Sequence, residues 1–330
     1  MAFASPDGVD SRIMAGSQTP RMRYHSIVAD SGRWDGFAFR PGDVVISTPP
    51  KSGTTWTQML CALLIFDGPA FPAPLGEVSP WLDNCIRPLA EVTAAYSAQT
   101  HRRFIKTHTP LDGLPMHPDV TYLVVGRDPR DVAISMDHHA ANMDFEHFLA
   151  LRAAAIGNDD LAALPERRAP SDDPAERFRT FLTEESPGAV ATLTLASVLH
   201  HLETGWQHRR DPNVALFHYA DLKADLTGEL LRLARVLGIP CSLERARQLS
   251  SEASLARMRE RSADVAPNAS RGVWKDVRAF FRSGASGEWR ERLSVADLAA
   301  YEARVSALVG QDLAAWAHGG RLASGVDPEL

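Results

Sequence analysis

The chain has 330 residues, 45% of them hydrophobic, with a formal net charge of −6 and a pI near 6.1. That is enough apolar material for one large α/β domain or two small ones, and the acidic balance argues against a nucleic-acid binder, which is ordinarily basic. Its three cysteines, Cys61, Cys85 and Cys241, form no C-x-x-C pair and no metal-ligand spacing, so they read as buried thiols of a reducing compartment.

Residues 1–22 are small and polar and are expected to be a flexible N-terminus. They lack the basic start and continuous apolar core of a secretion signal, and nowhere do 18 apolar residues run together as a membrane span requires. A cytoplasmic location is the expectation. Trp34, Phe37 and Phe39 are expected to pack beside a sheet edge.

The stretch from Asp43 to Phe66, DVVISTPPKSGTTWTQMLCALLIF, carries the strongest local pattern of the chain. Val44-Val45-Ile46 suits a short buried parallel strand. A Pro-Pro-Lys-Ser-Gly turn comes next, and from Thr54 the apolar residues Met59, Leu60, Leu63 and Leu64 recur at helical spacing. Strand, glycine-containing turn and helix start together make an anion site, because first-turn N–H groups and the helix dipole point at a negative charge. This is not a Walker loop, since Lys51 precedes Gly53 and Val45 stands where the first glycine belongs.

Residues 66–83 are rich in Pro and Gly and carry Phe71, Trp81 and Leu82; they read either as a binding loop or as a plainly packed one. A helix is expected over 88–99, then a strand at Arg103–Lys106 leading into Thr107-His108-Thr109. A third apolar run, Tyr122–Val125, ends at Gly126-Arg127-Asp128-Pro129, with a helix from Pro129 through Asn142. Residues 155–190 read as a charged, proline-rich insertion with one short helix near 175–182. A helix over 192–208, a buried strand at Val214–Tyr219, a helix over 225–237 ended by Gly238 and a helix over 243–259 come after it. Residues 262–293 read as loop, and a helix over Val295–Leu308 is succeeded by a tail. Strands alternating with helices imply a parallel sheet, with ligands beyond the carboxyl ends of its strands. Lys51, His108 and Arg127 all fall just past such ends.

Four blocks in register, PPKSGTTW (49–56), FIKTHTP (104–110), VVGRDPRDVAIS (124–135) and FFRSGASGEW (280–289), resemble the cytosolic-type sulfotransferases, which use 3′-phosphoadenosine 5′-phosphosulfate (PAPS). The similarity spans roughly residues 40–315. FIKTHTPLDG, VGRDPRD, NVALFHYADL and SPWLD are most similar to actinobacterial glycolipid sulfotransferases. The resemblance implies a single α/β domain over residues 23–330, with a central parallel sheet flanked by helices and a P-loop-like phosphosulfate-binding loop.

The resemblance also implies roles. Sulfuryl transfer needs a base for the acceptor hydroxyl and cations around the leaving oxygen, the rest being positioning. His108 is the expected base, with Lys51 at the bridging oxygen and Lys106 at the sulfuryl oxygens. Lys51, Ser52, Gly53, Thr54, Thr55 and Trp56 are expected to hold the nucleotide together with Arg127, Ser135, Tyr219 and Ser254, and Arg282, Ser283 and Gly284 to close over its 3′-phosphate. Two positions depart from the family pattern: Ser283 replaces a lysine, and Ala253-Ser254-Leu255 replaces Thr-Ser-Phe, removing an aromatic partner for adenine. No carboxylate cluster suited to Mg²⁺ is visible, so no metal is expected.

These readings converge on transfer of a sulfuryl group from PAPS to a hydroxyl of a glycolipid or other hydrophobic alcohol, with transient contact at a membrane surface. Two rivals stand beside it. A non-catalytic module would bind the 3′-phosphonucleotide without transfer, and a P-loop kinase would turn over ATP with a metal.

Overall fold

Val44–Ser47 (β1), Phe104–Thr107 (β2), Thr121–Gly126 (β3) and Val214–His218 (β4) form one sheet in the order β2-β1-β3-β4, every pair parallel. The computed structural model describes residues 21–161, 170–185 and 193–330. The flexible N-terminus expected for 1–22 therefore falls almost wholly outside the described residues, as do 162–169 and 186–190 of the expected insertion.

Every strand residue but Thr121 is buried, which a parallel sheet covered on both faces demands. Helices α1 (Thr54–Ile65), α2 (Pro129–Asn142), α3 (Leu195–Gln207), α4 (Leu226–Val236) and α5 (Gln311–Ser324) do most of the covering. Alternation along the strands sends Val45, Ile105, Tyr122, Val124 and Leu216 to one face, against Val198, Leu199 and Leu202 of α3 and Trp316 of α5. Val44, Ile46, Phe104, Leu123 and Phe217 go to the other, against Met59, Leu60 and Leu63 of α1 and Leu230 and Leu233 of α4. The result is the three-layer α/β/α arrangement expected from the alternating pattern.

The expected elements appear within a few residues of their predicted bounds. Helices occupy Leu89–Ala98, Pro129–Asn142, Pro174–Thr183 and Val295–Leu308, and Gly238 lies just past the end of α4 with φ 64°. Trp34, Phe37 and Phe39 stack on one another, with Trp34 and Phe37 5.8 Å apart at their ring centres.

Two expectations fail. The helix predicted over 243–259 is two helices, Leu243–Glu252 and Leu255–Glu260, because the Ser254 side chain caps the second and ends continuity with the first. The tail after Leu308 is α5, whose Trp316 is 1% exposed and packs where a side chain on Gly126 would lie, 2.7 Å from its ring. The sequence hides α5 because Gly319-Gly320 interrupts its pattern; the helix is indeed broken at Gly320, and Asp221 accepts from the N–H groups of Arg321 (2.8 Å) and Leu322 (2.9 Å) beyond the break.

The chain leaves β1 towards β2 on one side and returns to β3 on the other. Connections that diverge in this way open a crevice at the carboxyl ends of β1 and β3.

Candidate active site

At the carboxyl edge of the sheet each strand is succeeded closely by a polar or aromatic residue: Lys51 after β1, His108 after β2, Arg127 after β3 and Tyr219 after β4. A cavity of about 1820 Å³ opens over this edge. Of the residues expected in the site, all but Ser52 and Ser254 line it. Ser254 is a helix cap, with Arg257 N–H at 3.4 Å, while its neighbours Ala253 and Leu255 reach the cavity. Ser52 lies behind the loop, fully buried, and its Oγ has no hydrogen-bond partner.

The turn before α1 is held in an unusual shape. Lys51 has φ 66° and Gly53 φ 98°. A Cβ on Gly53 would sit 3.1 Å from the Tyr219 ring, so both the backbone angle and the space require glycine there. No side chain caps α1, which leaves its first-turn N–H groups available to an anion. Thr54 Oγ1 meets Thr48 Oγ1 at 2.5 Å, tying the helix start back to the end of β1.

Arg127 joins three pieces of this wall. It donates to the Lys51 carbonyl (2.9 Å) and the Ala285 carbonyl (3.2 Å), and its guanidinium lies 4.4 Å over the Tyr219 ring. Its Nε is buried without a partner. Trp56 meets Tyr219 edge-on at 5.4 Å and donates to the Ala253 carbonyl at 2.9 Å, shaping a flat apolar slot. On the facing strap Arg282 pairs with Glu288, and Ser283 donates to the same carboxylate at 3.3 Å. Gly284, with φ 61°, approaches Leu255 and the Tyr219 hydroxyl.

His108 is half-buried and donates from Nδ1 to the Thr48 carbonyl at 2.8 Å, which leaves Nε2 as a lone pair. Its ring meets Trp81 edge-on at 4.8 Å. Burial, together with the charges of Lys106 and Lys51, pushes its pKa down to about 3, so it is neutral in the free protein. Lys106 lies 4.5 Å over the Trp81 ring, and burial lowers it to about 8 against the pull of Asp83. Lys51 is lowered to about 7 by burial and then by the charges of Arg127, Lys106 and Arg282. Lys51, Lys106, Arg127 and Arg282 thus line the cavity together with the neutral imidazole of His108, an arrangement suited to a polyanion.

Several residues of the site were not foreseen. His139 accepts a hydrogen bond from Lys51 Nζ at 3.2 Å through Nδ1. It lies four residues after Ser135 on α2, and that helical spacing on the cavity face was the signal. Trp274, in the stretch expected to be loop, lines the cavity and meets His139 edge-on at 4.9 Å. Of the apolar residues in the 66–83 loop, only Trp81 reaches the cavity; Leu82 is buried and Phe71 packs on Phe66. Asp83 is fully buried and accepts from Trp34 Nε1 (3.0 Å), Thr109 Oγ1 (2.7 Å) and Thr107, fixing the chain on both sides of His108.

A family model described as the sulfotransferase domain matches residues 41–312. The chain belongs to the sulfotransferase family. It is similar to the glycolipid sulfotransferase of Mycobacterium bovis (strain BCG / Pasteur 1173P2), with 49% identity over 94% of this chain and 97% of that protein. The glycolipid sulfotransferase of Mycobacterium tuberculosis (strain ATCC 25177 / H37Ra) matches with the same identity and coverage. Among solved structures, retinol dehydratase in complex with androsterone and the inactive cofactor PAP shares the fold, with a TM-score of 0.66 and 24% identity over 86% of this chain and 87% of that one. Among the described residues no helix is long and apolar enough to cross a membrane, and no cluster of three or more His, Cys, Asp or Glu could hold a metal ion.

Proposed function

We propose that this sulfotransferase moves the sulfuryl group of PAPS to a hydroxyl of a glycolipid, with His108 as the base. The observation that carries the reading is the His108 pair of contacts: Nδ1–H is given to the Thr48 carbonyl, so the unshared pair of Nε2 is free beside Lys51 and Lys106. The residues present fit a 3′-phosphonucleotide. Ser52 Oγ and Arg127 Nε are buried without partners, and the glycines at 53 and 284 let the backbone come close. When bound, PAPS supplies a sulfuryl group already activated on a phosphate.

The chain's own residues do the rest. The α1 N-terminus and the turn from Lys51 to Thr55 would take the 5′ side, and Arg127, Ser135 and the strap from Arg282 to Gly284 the 3′-phosphate. His108 Nε2 accepts the proton of the attacking hydroxyl. Lys51 stabilises charge growing on the bridging oxygen, and Lys106 that on the sulfuryl oxygens. A bound polyanion offsets the two lysine charges that depress His108, bringing the imidazole closer to a useful basicity. Acidic net charge speaks against a nucleic-acid partner, and the unpaired thiols of Cys61 and Cys85 fit work in the cytoplasm, with the acceptor met at a membrane surface.

The test is transfer of labelled sulfonate from PAPS into lipid and small-alcohol fractions, without added metal, by wild type beside His108→Ala. Label in the lipid fraction from wild type alone supports the whole reading. Label only in small phenols would overturn the glycolipid acceptor, and nucleotide binding without any transfer would favour the non-catalytic module.

A further inference from the structure

Two imidazoles line the same cavity with opposite hydrogen-bonding polarity. His108 has given its Nδ1 proton to the Thr48 carbonyl, so its Nε2 can only accept while the ring is neutral. His139 is the reverse. Its Nδ1 lies 3.2 Å from Lys51 Nζ, and an ammonium has protons to give and no lone pair. While Lys51 is charged, as a bound polyanion keeps it, Nδ1 is therefore the bare nitrogen and Nε2 carries the proton. Among the described residues that Nε2–H has no hydrogen-bond partner.

Both rings line the same cavity, and burial, then the charge of Lys51, keeps His139 neutral. Each is held edge-on against a tryptophan of the cavity wall, His108 by Trp81 at 4.8 Å and His139 by Trp274 at 4.9 Å. Lys51 adds a third support, because its ammonium also lies 4.8 Å over Phe280, which packs against Trp274. His139 is thus fixed on both sides and cannot turn freely to exchange its two nitrogens.

We infer that His139 is a specificity-determining residue, whose Nε2–H donates to a second oxygen of the acceptor headgroup while the reacting hydroxyl donates to His108 Nε2. The pair then selects a headgroup with two neighbouring oxygens, as a sugar ring offers, over an alcohol with one. His139 is half-buried and lines the cavity, so a bound acceptor shuts its N–H off from water. A single hydroxyl then satisfies His108 but leaves that N–H unmatched, and a donor left unmatched on binding discriminates between otherwise similar ligands. This rests on the sulfotransfer reading above and adds the chemical class of its acceptor.

The experiment compares dodecyl glucoside with dodecanol as acceptors, in wild type, His139→Phe and His139→Gln, with binding of 3′-phosphoadenosine 5′-phosphate measured alongside. Phenylalanine keeps the ring's bulk and removes both nitrogens; glutamine keeps one donor and one acceptor. Wild type should favour the glucoside in kcat/KM, and His139→Phe should reduce that preference by about tenfold, the loss typical of one buried hydrogen bond. His139→Gln should restore part of it. A loss shared equally by both alcohols reports only the Lys51 contact and would overturn the inference, as would a wild type that prefers dodecanol. Nucleotide binding with no transfer to either alcohol by wild type would instead count against the sulfotransfer reading, and the inference would fall with it.

Discussion

Arg127 holds the backbone of Lys51: its Nη1 donates to the Lys51 carbonyl at 2.9 Å, at a residue whose φ is 66°. A non-glycine residue in the left-handed region costs roughly 1 kcal/mol or more, and it persists only where neighbours enforce it. The residue proposed to read the 3′-phosphate thus also keeps the turn from Lys51 to Gly53 in shape. Arg127→Ala should weaken 3′-phosphoadenosine 5′-phosphate by about 10- to 100-fold, the range for a charge-assisted contact. The 3′-hydroxyl analogue, adenosine 5′-phosphate, should weaken less. Calorimetric titration of both ligands checks this, and equal losses would remove Arg127 from recognition of the 3′-phosphate.

Gly53→Ala should be damaging out of proportion to its size. The added methyl meets the Tyr219 ring at 3.1 Å and the residue must keep φ 98°. The expected outcome is a stability loss of about 1–3 kcal/mol together with loss of nucleotide binding. Thermal unfolding with and without 3′-phosphoadenosine 5′-phosphate measures both effects; an unshifted midpoint and normal binding would show that the loop relaxes freely.

Protons should accompany the nucleotide. Lys51 and Lys106 are depressed to about 7 and about 8 in the free protein, and a bound polyanion raises both. At pH 8 to 9 they are partly neutral before binding and charged after it, so binding takes up protons and affinity falls as pH rises through that window. At pH 6 both are already charged and uptake from them should vanish. Calorimetry in buffers of different ionisation enthalpy reads the proton count directly. His108 is neutral in the free protein down to about 3, so a bound polyanion that raises it strengthens binding towards acid pH and does not weaken it.

On the proposed reading, Glu288 would compete with the nucleotide's 3′-phosphate for Arg282. It pairs with Arg282, accepts from Ser283 at 3.3 Å, and lies 3.6 Å from Arg292. Arg282 is 40% exposed, so the pair is worth little on its own. Glu288→Gln should leave folding unchanged and tighten 3′-phosphonucleotide binding a few-fold, most clearly at low salt. Unaltered affinity across a salt series would mean that Arg282 does not reach the phosphate.

Trp316→Ala tests the part of the fold that the sequence concealed. Trp316 is 1% exposed and fills the space beside Gly126 at the end of β3. Truncation should cost about 3–5 kcal/mol. Denaturant unfolding measures it, and a change below about 1 kcal/mol would mean that α5 contributes little to the core.

The sheet was legible because buried parallel strands are continuous apolar runs with turn residues at their ends, as at Val44–Ile46 and Tyr122–Val125. The polar residues just past those ends were legible for the same reason. What escaped was whatever depends on distant packing. Helix α5 is broken at Gly320 and owes its continuation to Asp221, a hundred residues earlier. Ser254 looked like a ligand by position and serves as a cap by geometry. His139 offers only its helical spacing from Ser135, and Asp83 and Trp274 offer no local motif, since their contacts to Thr107 and the cavity exist only once strands and straps are assembled.

The atom that orients His108 is a main-chain oxygen, that of Thr48. No side chain is needed to set which nitrogen of the base is free, so no replacement at position 48 that keeps the strand end in place should abolish it. The walls of the acceptor cavity are built differently, from side chains such as Trp81, His139 and Trp274. On the proposed reading, the free nitrogen of the base is set by main chain, and the choice of acceptor by side chains. An engineer could redraw the walls towards a new alcohol while the base stays correctly presented.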